Sequence, residues 1–188
     1  MRSFPFFTDI SGWNCLVVGG GKVAQRKVEK IQPFGPQVTV CAPVINEELC
    51  LFPGIKTLKV PFSEQMLDEA DMVIAATDNP ELNHKISGLC RERKIPVNVV
   101  DDREFCSFVF PALITRGSLT IGVSTGGASP LAARKVKEII ERALPDHLEE
   151  TLEHLESIRP AVKKKYATEK ERMEALDKVW DEITEKYI

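Results

Sequence analysis

Over the first hundred positions, short runs of β-branched and other apolar residues alternate with stretches of helical periodicity. The runs Asn14–Val18, Gln37–Cys41, Lys56–Val60, Met72–Ala75 and Val97–Val100 have the length of strands, and several are apolar at nearly every position. Such strands are covered on both faces, as helical crossovers cover a parallel sheet. Between them, Lys22–Gln32 reads as a helix stopped by Pro33 and Gly35. Pro80–Glu92 reads as a second, opening on a proline whose missing N–H costs nothing at an early helical position. Glu64–Leu67 is a weaker helical stretch. This alternation places the chain in the α/β class.

The texture changes after Asp101. Phe108–Phe110 and Leu119–Val123 read as two further pairing strands, joined through Pro111 and the Arg116-Gly117-Ser118 turn. From Ser129 the pattern is almost wholly helical. Ser129 suits an N-cap and Pro130 the first turn, and Leu131, Val136, Ile139, Ile140 and Ala143 form a stripe that Pro145 breaks. Leu148, Leu152 and Leu155 begin another helix. A last one opens on the capping box of Thr168 and Glu171, with Met173, Leu176, Val179, Trp180, Ile183 and Tyr187 along one face.

Composition narrows the function without naming it. The chain has 188 residues and a formal net charge of −3, which gives no general attraction to nucleic acid or to an anionic membrane. No apolar run is long enough for a transmembrane helix, and Asp9 stands where a signal peptide keeps its apolar stretch, so the expected location is cytoplasmic. Five cysteines without a C-x-x-C pair indicate neither a disulfide framework nor a zinc knuckle; Cys15 and Cys41 read as small core residues inside strands. His84, His147 and His154 have no metal-ligand spacing and read as surface or capping residues, so no metal site is expected.

The strongest local motif is Gly19-Gly20-Gly21-Lys22-Val23-Ala24, a G-x-G-x-x-A pattern after a strand and before a helix. Gly19 and Gly21 permit a tight turn and the approach of a pyrophosphate, Ala24 permits close helix packing, and the helix start supplies N–H groups. A ligandless glycine turn is the plain alternative, which the strand–helix context disfavours. The end of the second strand is Cys41-Ala42-Pro43-Val44, with neither an acid for a ribose hydroxyl nor a cation for a 2′-phosphate, so NAD and NADP stay open on this ground. Ligands of open α/β sheets lie beyond the carboxyl ends of the strands, which nominates Lys22, Val23, Pro43, Val44, Thr77 and Asp78 alongside the glycines.

Two further segments carry candidate chemistry. Asp101 and Asp102 follow the fifth strand, where a carboxylate takes or orients a proton, or simply closes a turn. Ser124-Thr125-Gly126-Gly127-Ala128-Ser129-Pro130 is a second glycine turn that makes either a carboxylate-binding nest or a plain strand-to-helix link. Arg134, Lys135 and Lys137, and more weakly Arg103 and Arg116, are candidates to meet an acidic substrate, though charges on a helix face are usually only solvated.

The order of these motifs resembles the precorrin-2 dehydrogenase family, including the dehydrogenase/ferrochelatase portion of sirohaem synthases. The matching stretches are Phe4-Pro5-Phe6-Phe7, LVVGGGKVAQRKV from Leu16, VTVCAP from Val38, AATDNPELN from Ala75, IPVNVVDD from Ile95, CSFVFPA from Cys106 and IGVSTGGASPLAA from Ile121. The resemblance implies a homodimer with a Rossmann-type domain (1–112), a dimerisation region (113–145) and a small helical C-terminal domain (146–188). It implies NAD as hydride acceptor and precorrin-2 as substrate. Asp101 matches the family's essential aspartate, and Thr125, with Ser124, Gly126 and Gly127, falls where relatives contact a substrate carboxylate. The methyltransferase domain of some sirohaem synthases is not expected here. A bifunctional dehydrogenase and ferrochelatase, and an NAD(H)-sensing module without chemistry, are the two alternatives.

Overall fold

Strand β1 (Asn14–Val18) lies at the centre of a five-stranded parallel sheet because its side chains have helices to meet on both faces. The computed structural model describes residues 4–185, so Tyr187 lies outside the described residues. With β2 (Gln37–Cys41), β3 (Lys56–Leu58), β4 (Met72–Ala75) and β5 (Val97–Val99) the sheet order is β3-β2-β1-β4-β5. β1 pairs with β2 from Asn14↔Gln37 to Val18↔Cys41 and with β4 from Cys15↔Met72 to Val18↔Ala75. One face packs Cys15, Val17, Val40 and Ile74 against Ala24, Val28 and Ile31 of helix α1 (Lys22–Ile31). The other packs Leu16, Val18, Val73 and Val97 against Ile86 and Cys90 of helix α3 (Pro80–Glu92). Each Val, Leu or Ile among them contributes about 1.5–3 kcal/mol by leaving water.

In the parallel sheet and its helices, several departures from the sequence pattern fall at element ends. α1 stops at Ile31 and tightens into a 3-10 turn, Gln32–Phe34, closed by Gly35 at φ 74°. Glu64–Leu67 is likewise 3-10 rather than α. β3 ends at Leu58, not Val60: its partner strand is finished at Cys41, and the Cys41 thiol donates to the Val60 carbonyl at 3.2 Å. β5 ends at Val99, although the Val100 N–H still reaches the Ala75 carbonyl at 3.0 Å, because Asp101 turns the chain at φ 57°. A four-residue helix α2 (Glu47–Cys50), capped by the Asn46 side chain, is additional to the pattern.

Phe6–Phe110 forms one compact unit, and a second begins at Pro111. In the second, β6 (Ala112–Arg116) and β7 (Leu119–Val123) form an antiparallel hairpin. Phe108–Phe110, expected as a strand, is not one. The hairpin register pairs Ala112 with Val123, so three residues further back would have no partner strand. Phe108 and Phe110 instead pack on the first face of the parallel sheet. Helices α4 (Pro130–Ala143), α5 (Leu148–Lys165) and α6 (Glu169–Glu185) follow, and the Thr168–Glu171 capping box forms in both directions at 3.0 and 3.3 Å. The apolar stripe on α4 is largely open: Leu131, Val136 and Ile139 are 58%, 42% and 65% exposed, and Ala133 is that helix's buried residue. Among the described residues no helix is long and apolar enough to cross a membrane.

Candidate functional site

The three glycines after β1 are required for different reasons. A Cβ on Gly19, whose φ is 124°, would stand 2.2 Å from the Ala76 carbonyl oxygen, and one on Gly20 would stand 2.2 Å from that of Val44. These two positions let the ends of β4 and β2 close on the turn. A Cβ on Gly21 would meet nothing within 4 Å. Gly21 is the N-cap of α1, with no side-chain cap bond and no acidic residue in the first turn. The first N–H groups of a helix lack intrahelical partners, so this start, at Lys22, Val23 and Ala24, presents donors and a positive dipole end to open space. Ala24 is fully buried beneath it. The residues fit a dinucleotide's pyrophosphate.

Two loops flank that opening. After β2, the Asn46 N–H donates to the Gly20 carbonyl at 2.8 Å and the Asn46 amide to Gln25 Oε1 at 2.8 Å, while Pro43 and Val44 stand exposed. After β4, the Thr77 hydroxyl donates to buried Asn83 Oδ1 at 2.7 Å, and Asn79 caps α3 through the Leu82 N–H. Asp78 is exposed between them. β1 lies between β2 and β4, so the crevice opens where the strand order reverses, the usual ligand position in such sheets.

Beyond β5 the two carboxylates part company. Asp101 is exposed and adopts a left-handed backbone that side chains other than Asn and Asp rarely tolerate. Asp102 turns away and meets His84 Nε2 of α3 at 2.8 Å, with the imidazole stacked on Phe105 at 3.7 Å between centroids. Lys27 of α1 donates to Asn98 Oδ1 at 3.0 Å and lies 4.4 Å over the Phe110 ring. Burial, followed by neighbouring Lys30, pushes the Lys27 ammonium below the usual lysine range, against the pull of Cys106 and Asp101. Lys27, Asn83, His84 and Asn98 were not singled out for the site by the sequence reading. Asn98 carries a legible signal: a buried amide in the otherwise apolar run Val97–Val100 needs partners, and its other end donates to the Phe108 carbonyl at 3.0 Å.

In the second unit the turn after β7 caps its own helix. The Thr125 hydroxyl accepts from the Ser129 N–H at 3.2 Å and donates to the Ser129 carbonyl at 3.0 Å. Ser129 Oγ caps α4 through the Ala132 N–H at 3.1 Å, and Ser124 Oγ takes the Gly126 N–H at 3.3 Å. Gly126 and Gly127 have φ of 65° and 87°. Arg134 and Lys135 pair with Glu138, and Lys137 with Glu141. The Arg116 guanidinium is taken up by the Pro145 and Glu141 carbonyls. Arg103 lies in the 3-10 turn after Asp102. Among the described residues no three His, Cys, Asp or Glu side chains gather as a metal site.

The sheet and its open helix start define an NAD(P)-binding α/β protein, and residues 6–112 match the family model of that description. Residues 116–143 match the central region of sirohaem biosynthesis proteins. The chain is 38% identical over 175 residues to the siroheme synthase of Salmonella dublin, covering 92% of this chain and 38% of the relative. It is 43% identical over 148 residues to that of Thioalkalivibrio sulfidiphilus, covering 77% of this chain and 30% of the relative. It therefore spans well under half the length of these curated relatives. In fold it is similar to the solved structure of SirC, precorrin-2 dehydrogenase, with a TM-score of 0.78 at 23% identity, covering 94% of this chain and 89% of that one. The chain belongs to the NAD(P)-binding family whose model it matches over residues 6–112.

Proposed function

We propose that the chain oxidises precorrin-2 to sirohydrochlorin with NAD. The observation that carries this reading is one sheet edge with a donor-rich, acid-free helix start after β1 and an exposed left-handed carboxylate, Asp101, after β5. Two strand spacings separate β1 from β5, about 10 Å, a span that a nicotinamide and a substrate ring can share. The dehydrogenation removes two electrons and two protons from the tetrapyrrole as a hydride and a proton. NAD supplies the hydride acceptor. Gly19, Gly21, Lys22, Val23 and Ala24 hold its pyrophosphate, and Pro43, Val44, Thr77 and Asp78 line its path. The Asp101 carboxylate receives the proton or orients the carbon that loses it.

The three-part division stands within this proposal. Residues 1–112 bind the dinucleotide, 113–145 pair two copies and 146–188 form the helical domain. Exposed Leu131, Val136 and Ile139 on α4 support the homodimer, since apolar side chains in a row favour a partner over water. The Ser124, Thr125, Gly126 and Gly127 turn meets a substrate carboxylate through its backbone N–H groups and the Ser124 hydroxyl. A cytoplasmic location completes the reading.

Anaerobic incubation with precorrin-2 and NAD is expected to yield NADH and sirohydrochlorin in equal amounts. Asp101→Asn is expected to lower kcat about 100-fold or more with NAD affinity unchanged. NAD binding without oxidation would leave a sensor, and full activity in Asp101→Asn would remove the carboxylate from the chemistry. The name siroheme synthase borne by the relatives supports a second reading, in which the chain also inserts iron. Ferrous iron added after oxidation separates the two by whether the sirohaem spectrum develops.

A further inference from the structure

The loop that carries Asp101 is bound along one face of α3. His84, Ser87 and Arg91 stand at helical spacing i, i+3 and i+7, so they share that face. His84 takes Asp102, Ser87 Oγ donates to the Phe105 carbonyl at 2.6 Å, and Arg91 donates to the Glu104 carbonyl. From the sheet side the Cys106 thiol lies 3.1 Å from the Val99 N–H and 3.2 Å from the Asp102 carbonyl. Asp102 is the N-cap of the 3-10 turn Arg103–Phe105 yet makes no side-chain cap bond there. Its carboxylate has given up the ordinary role of an aspartate at that position for the imidazole.

We infer that His84, through Asp102, is a positioning residue for Asp101, an inference that rests on the catalytic reading of Asp101. Asp101 needs outside support, because a left-handed backbone costs free energy at any residue with a Cβ and persists only where neighbours fix it. The residue next in the chain is the one His84 holds, so the φ of Asp101 and the direction of its carboxylate are set between β5 and that anchor. The imidazole stack on Phe105 fixes the ring that does the holding.

The test uses His84→Ala, His84→Gln, Asp102→Ala and the double variant His84→Ala/Asp102→Ala in the full chain. Amide exchange over residues 100–107 is expected to quicken about ten-fold in the alanine variants and little in His84→Gln, whose amide still reaches Asp102. The kcat for precorrin-2 oxidation is expected to fall about ten-fold in each alanine variant, to recover to within about three-fold in His84→Gln, and to fall no further in the double variant. The dissociation constant for NAD stays unchanged. Unaltered exchange in His84→Ala, unaltered kcat, or additive losses in the double variant would overturn the inference. A wild-type chain inert toward precorrin-2 defeats the functional reading alone, and the exchange measurement still decides whether His84 fixes the loop.

Discussion

The molecule contains two turns of the same outward form, a strand, a run of glycines and a helix. The turn at Gly19–Gly21 is tight at its first two glycines and open at the third. The turn at Ser124–Gly127 has positive φ at its last two glycines and closes on itself, with Thr125 and Ser129 satisfying each other and Ser129 capping α4. The first helix lacks a side-chain cap and the second supplies its own. A helix start capped only by glycine costs a few tenths of a kcal/mol, roughly, against a good cap, and it makes sense where an external anion provides the missing acceptor. Glycine content alone does not separate a turn that leaves its helix start open from one that caps its own helix; the partner of each N–H does.

Four experiments press on that difference. Gly19→Ala has the largest expected effect, a loss of at least about 3 kcal/mol in denaturant unfolding, since its Cβ meets backbone that cannot move without parting β1 from β4. Gly21→Asp is expected to move two observables in opposite directions. The carboxylate caps α1 and raises Tm slightly, while NAD affinity measured by calorimetry falls about 100-fold as the negative charge occupies the anion's place. Unchanged affinity would make the two turns alike. Ser129→Ala is expected to cost about 1 kcal/mol in the thermal transition and to leave NAD affinity alone; a loss of affinity there would erase the contrast.

The smallest effect comes with alkaline pH, because all five cysteines lie between positions 15 and 106, in the unit that holds the first turn. Burial pushes the Cys15 thiol up to about 12 from 9.0, and raises those of Cys41 and Cys90. With the folded value above the unfolded one, this stability is fully present below pH 9 and is lost as pH rises toward 12. At pH 9.5 the expected loss from Cys15 is below about 1 kcal/mol. A Cys15→Ala chain should show a flatter unfolding profile from pH 8.5 to 10; an identical slope in both chains would exclude Cys15 as its source.

Much of the parallel sheet was legible because burial on both faces leaves a plain apolar run: β1, β2 and β4 begin and end where the sequence pattern puts them. Phe108–Phe110 misled for the same reason. An apolar run that packs on a sheet face looks like one that joins a sheet, and only the hairpin register tells them apart. The glycine turn was legible as a whole, but the separate demands on Gly19 and Gly20 come from Ala76 and Val44, which are distant in sequence. His84 reads from sequence as a surface or capping residue because its partner is 18 positions away, and the packing of α3 against the loop after β5 that brings the two together is a tertiary fact. Asn98 stood in view as a polar residue in an apolar strand, and asking where its hydrogen bonds go would have led to Lys27.

The bond from the Asn46 N–H to the Gly20 carbonyl, with the close approach of Val44 to Gly20, ties the segment after β2 to the glycine turn. For an engineer this is a fixed chassis with two replaceable fittings. The backbone after β2 cannot be reshaped without distorting the glycine turn, so under the proposed cofactor site a change of preference has to be made with side chains, and exposed Pro43 and Val44 are the positions that offer themselves.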